Sequence, residues 1–169
     1  MIYLAVLFSF SLALGKDAWH LNATFEAKDQ QIFDIPAKTI DPSFDKVSLL
    51  TKSEIIKKYK SEAKEDLKQS HAVFQIDKKQ DSKKHRIVVG VYSGLSEKGS
   101  FLLVLEKQKQ GWKSIFLHKA PGQPGFSVLE DAADAILWNT CLECGHSARL
   151  LWSKKLGYYF DTTPDHAED

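Results

Sequence analysis

Phe101-Leu102-Leu103-Val104-Leu105 is apolar at five consecutive positions. In a strand, successive side chains point to opposite faces, so a continuous apolar run needs cover on both sides. The β-branched run Ile87 to Tyr92, with Gly90 inside it, precedes this stretch, and Trp112 to His118 follows it. Gly94 and Gly99 punctuate the first connection, and Gln110-Gly111 the second. Two successive hairpins follow from that spacing, giving an antiparallel meander.

Toward the C-terminus, Pro121, Gly122, Pro124 and Gly125 make 120–126 an irregular loop. Short strand-like runs then recur at 126–129, 135–140, 147–152 and 158–160, with Lys154 to Gly157 as the last turn. Toward the N-terminus, Ala72, Phe74 and Ile76 alternate with Val73, Gln75 and Asp77, as in a half-buried strand. Lys78 to Arg86 holds five basic residues against Asp81 alone and reads as a basic connector.

Before that strand lies the clearest helix, residues 51–69. Thr51-Lys52-Ser53-Glu54 is a capping-box pattern, flanked by Leu50 and Ile55 at the staple positions. Ile55, Tyr59, Ala63 and Leu67 recur every four residues and define one apolar face. Residues 16–50 have weak periodicity. Ile32, Phe33 and Ile35 suggest a short strand or extended pad ended by Pro36.

This order predicts an α+β domain over residues 16–160. One amphipathic N-terminal helix would pack on a curved, mainly antiparallel meander of six or so strands. A β-sandwich-like arrangement is the alternative. Residues 161–169 carry a net charge of −4 and read as a disordered acidic tail.

Ile2 to Leu14 is apolar except for Ser9 and Ser11. That run falls short of the roughly 20 residues a bilayer span needs, but fits the core of a signal peptide. Ala13 and Gly15 sit at its −3 and −1 positions, so residues 1–15 are expected to be removed and the mature chain to be periplasmic or secreted. No later stretch is long and apolar enough to cross a membrane.

The net charge of +1 argues against a protein built to hold nucleic acid. It conceals a split, however: −2 over residues 16–51, +5 over 52–86, +2 over 87–160 and −4 in the tail. The basic part could meet an anionic surface, although a solvated lysine-rich face is the plainer reading.

Cys141-Leu142-Glu143-Cys144-Gly145-His146 is the one constellation with chemical content. In an exported chain, Cys141 and Cys144 are expected to form a local disulfide, although so short a loop adds little stability by chain entropy. Zinc held by Cys141, Cys144 and His146 is an alternative, but C-x-x-C is only half of a complete site. Any fourth ligand would have to come from His71, His85, His118 or His166. A catalytic redox pair would want a helix N-terminus after the motif, and the sequence after His146 reads as a strand. Haem attachment needs C-x-x-C-H, which Gly145 interrupts.

Trp112, Trp138, Trp152, Tyr158 and Tyr159 crowd the C-terminal half and could form a partner surface, or simply core. Trp19, near the N-terminus of the mature chain, is expected to be the exposed tryptophan. Glu130, Asp131 and Asp134 lack the spacing of a calcium loop. Together these readings favour a non-enzymatic exported module, with no resident cofactor, that binds a protein or cell-envelope component. The rival is an exported thiol-redox or zinc-dependent protein using Cys141, Cys144 and His146.

Overall fold

The computed structural model describes residues 18–142 and 147–161. The signal segment, Cys144, His146 and residues 162–169 of the tail lie outside the described residues.

The meander is present and longer than its apolar cores. β4 (Gln75–Gln80), β5 (Lys83–Ser93), β6 (Lys98–Gln108) and β7 (Gly111–Pro121) run antiparallel in sequence. β3 (Lys46–Leu49) joins them in a five-stranded sheet. β8 (Val128–Asp131), β9 (Ile136–Asn139), β10 (Ser147–Ser153) and β11 (Gly157–Asp161) form a four-stranded antiparallel sheet in the order β11-β10-β9-β8. Among the described residues, eight strands therefore follow the helix, where the sequence suggests about six, and with β3 they form two sheets rather than one.

Every residue from Phe101 to Leu105 is fully buried. Leu102 and Val104 join a core shared with the four-stranded sheet through Val128, Leu129, Ile136, Trp138 and Leu150. Phe101, Leu103 and Leu105 face a second core, closed by Ile32, Ile35, Ala37 and Phe44. That second cover is the N-terminal pad. β1 (Gln31–Ile32) and β2 (Ile35–Pro36) form a minimal hairpin, and α1 (Ala37–Ile40) follows. Phe33 and Asp34 turn the hairpin at φ 49° and 66°, the left-handed pair that a type I′ turn requires.

The predicted helix is α2 (Lys52–Gln69). Thr51 caps it: its Oγ1 accepts from the Glu54 amide at 3.3 Å and donates to Glu54 Oε2 at 2.9 Å. Ile55, Ala63 and Leu67 are buried in the first core. The helix is not continuous, however. Lys60 adopts φ 53°, ψ −129° and divides it, which no helix breaker in the sequence announces. A non-glycine residue in that region stores about 1–3 kcal/mol. Lys60→Gly is therefore expected to stabilise the protein by about 1 kcal/mol, after allowance for the greater freedom of glycine in the unfolded chain. A thermal midpoint below that of the parent would contradict this.

α2 interrupts a sheet edge. β3 pairs with Gly90–Ser93 of β5, and β4 pairs with Lys83–Val88 of the same strand. Val89 sits at the break: its carbonyl accepts from Leu50 N at 3.0 Å, and its amide donates to Phe74 O at 3.4 Å. Residues 51–73 thus leave the sheet edge and return to it.

The basic connector predicted at 78–86 is a tight hairpin. Asp81 and Ser82 turn it at φ 48° and 66°. Its polar composition hid it, because an edge strand can carry lysine on its open side and cross-strand ion pairs replace the apolar alternation. The Arg86 guanidinium donates to both Asp77 oxygens, at 2.8 and 3.0 Å, and Lys84 lies 3.0 Å away. The hydrogen bonds from Arg86 pull the Asp77 carboxyl from 3.8 down to about 2. The folded state therefore favours ionised Asp77. Its contribution is present above pH 3.8 and lost as the pH falls through about 2. Urea midpoints of the parent and Asp77→Asn should differ at neutral pH and converge at pH 2; a constant difference would show that Asp77 does not titrate with this shift.

Candidate functional site

One concavity lies between a strap, residues 23–28, and the first half of α2. Two isolated bridges pin the strap, Thr24 to Gly125 and Asp29 to Val47. Phe25 N donates to Pro124 O, and Asp29 and Val47 exchange both backbone hydrogen bonds, all at 2.8 Å. Lys28 N donates to Ser48 Oγ at 2.9 Å, and Ser48 in turn donates to Asp29 at 2.9 Å. From the helix side, the Tyr59 hydroxyl accepts from Thr24 N at 3.0 Å, and the Lys58 ammonium donates to the Thr24 carbonyl.

Strap, β3 and helix enclose about 420 Å³, with Phe25, Leu49, Leu50 and Val91 as apolar lining and Glu26, Lys28, Glu54, Lys57 and Lys58 as charged lining. A second hollow of about 740 Å³ shares Phe25 and Glu26 and reaches Lys46, Asp45 and Lys98. Lys58 lies 5.3 Å from the Phe25 ring and 5.4 Å from Tyr59. Asp45 is paired with Lys38, and Glu54 is engaged by Thr51. Lys28, Lys46, Lys57 and Lys98 have no ion pair among the described residues, so cationic capacity exceeds anionic capacity here.

Cys141 is buried after β9 and lines a separate cavity of about 330 Å³ with His20, Ser100, Gln123, Phe126 and Thr140. His20 stands apart from His71, His85, His118 and His166, the histidines the sequence offers as a fourth ligand. Only the fold brings it there, across more than a hundred residues. Cys144 and His146 lie outside the described residues.

The five aromatics do not share one face. Trp112 stacks with Arg86, 4.6 Å from its ring, beside Phe33 and next to the second core. Trp138 is buried against His118 and Phe160. Trp152 and Tyr158 flank His85 at 5.4 Å each. Tyr159 is half-buried on the opposite face of β11 from Tyr158. Trp19 is buried, contrary to expectation: it packs on Tyr59 and Phe126, and its indole N–H donates to Asp66 at 2.6 Å.

Two polar clusters arise that the sequence did not signal. His85 is 1% exposed; its Nδ1 lies 3.0 Å from the Tyr158 hydroxyl and its Nε2 3.6 Å from Glu106. Burial pushes the Tyr158 phenol up to about 12. Lys119 Nζ lies 2.7 Å from Glu97 and 3.1 Å from Ser43 Oγ. A serine beside a lysine suggests a nucleophile and its base, but the hydrogen bond to Glu97 raises the Lys119 pKa and keeps the ammonium protonated. It therefore cannot take a proton from Ser43, and the cluster serves to latch the pad onto the sheet. The acidic run is similarly engaged: Asp131 pairs with Lys78 and Asp134 with Arg149. Among the described residues, no three His, Cys, Asp or Glu side chains group as a metal site, and no helix is long and apolar enough to cross a membrane.

No family model, curated protein or solved structure matches this chain.

Proposed function

We propose that the chain is an exported, non-enzymatic binding module whose partner, a protein or cell-envelope component, seats between the strap and α2. The observation that carries this reading is the concavity itself: an apolar floor with a charged rim of three lysines and two glutamates, assembled on elements fixed by backbone hydrogen bonds. Its size falls in the ordinary range for ligand sites, roughly 300–1,000 Å³. Export rests on the apolar run from Ile2 to Leu14 and its small-residue boundary. Hydrogen exchange with and without a solubilised envelope fraction tests the seat. Protection confined to residues 23–28 and 52–59 supports it, and protection elsewhere overturns it. Intact mass of the exported protein tests cleavage after Gly15.

A second reading is an exported thiol-redox or zinc-dependent protein using Cys141, Cys144 and His146, with its chemistry at the cavity that Cys141 lines. In the first reading, a Cys141–Cys144 bond instead pins the connection between β9 and β10. Thiol alkylation with mass spectrometry, together with zinc analysis, separates the two. Reactive thiols or stoichiometric zinc would establish the second reading.

A further inference from the structure

We infer that the occupant of the strap–helix groove is one kind of envelope component, a single-chain organic anion with an apolar tail, such as a medium-chain carboxylate or alkyl phosphate, bound as a monomer. This rests on the groove being the binding seat and adds the chemistry of what it takes.

The floor and the rim make different demands. Phe25, Leu50 and Val91, whose side chains belong to the first core, line about 420 Å³ and favour an apolar body. Lys28 stands on the strap wall and Lys57 on the helix wall, and neither has an ion pair among the described residues. Lys58 adds a third ammonium, already positioned by the Thr24 carbonyl and lying against the Phe25 ring. Glu26 and Glu54 oppose them; Glu54 keeps its charge although the Thr51 cap holds its position, so the lining carries three ammonium groups against two carboxylates. Cations on both walls above an apolar floor complement a ligand with an anionic head and a hydrocarbon tail.

Two alternatives fit less well. A peptide adding a strand needs an open backbone edge, but the outer edge of β3 is taken at Val47 by Asp29, and the Ser48 hydroxyl binds Lys28 N. A bilayer surface is met by projecting apolar residues. Here the apolar residues form a floor walled by the strap and helix, while the exposed Leu21, Leu95 and Leu156 lie outside the groove lining.

Calorimetric titration of the full mature chain with sodium decanoate tests the inference. The expected result is one-to-one binding that weakens with added salt. Decyltrimethylammonium, with the same tail and opposite charge, should bind at least about tenfold more weakly. The double variant Lys28→Glu, Lys57→Glu should lose about tenfold in decanoate affinity while its circular dichroism and thermal midpoint stay with the parent. Phe25→Gln, a change in the apolar lining, should also weaken decanoate and guards against misfolding of the charge variant. Equal binding of the two decyl compounds, no effect of the double variant, or binding only to anionic phospholipid vesicles or a polyglutamate peptide would each overturn the inference. Envelope-induced protection of residues 23–28 and 52–59, with no decanoate binding, would leave the groove as a seat and refute only its assigned occupant. Loss of both refutes the seat as well.

Discussion

Gly90→Val is expected to lower stability by about 3 kcal/mol and the thermal midpoint by roughly 6–12 °C. Gly90 lies in β5 where three strands meet, opposite Leu49 on one side and Phe101 on the other. A Cβ at this position would stand 2.5 Å from Phe101 Cζ, 2.8 Å from Phe101 Cε1 and 2.5 Å from the Ser48 carbonyl oxygen. The Phe101 ring covers the space that a side chain would fill, the usual way an aromatic residue protects a strand glycine. Neither neighbour can yield cheaply. Phe101 is fully buried beside Phe44, and Ser48 O is backbone in the β3–β5 ladder. Gly90→Ala should move the midpoint in the same direction by less. A differential-scanning measurement showing no shift for valine would mean that Phe101 does not lie over this strand.

Leu102→Ala and Leu103→Ala are each expected to cost about 3 kcal/mol, within the usual 2–5 kcal/mol for a buried leucine. These neighbours point to opposite faces of β6, and both are fully buried. Leu102 belongs to the core shared with the four-stranded sheet, and Leu103 to the core beneath the pad. A sheet with one solvated face would give one large loss and one near zero. Urea unfolding followed by circular dichroism distinguishes the cases. Leu95→Ala, at a residue 98% exposed, serves as the control and should stay within about 0.5 kcal/mol of the parent. A small loss at Leu103 alone would show that the pad does not seal its face.

The elements that could be read from the sequence were those whose signals are local. The Thr51–Glu54 cap needs four consecutive residues, and the double burial of Phe101 to Leu105 follows from an apolar run with no polar side. The β4–β5 hairpin escaped because its strands are held by Asp77, Lys84 and Arg86 rather than by apolar alternation. Trp19 was misplaced because its partners Tyr59, Asp66 and Phe126 lie far along the chain. The groove combines residues from the strap, β3, β5 and α2, none of which forms a motif by itself.

By itself, the sequence determined the mainly antiparallel strand content, the capped helix and the need for cover on both faces of β6. Side-chain period, turn residues and capping groups act over a few bonds, and those features depend on nothing more distant. The tertiary structure decided how the strands divide into two sheets, that α2 springs from the middle of a sheet edge, and which lysines meet over an apolar floor. Each of these depends on pairing between residues remote in the chain. Such pairings are selected by the burial and hydrogen bonding of the whole fold, and no local window of sequence contains that information.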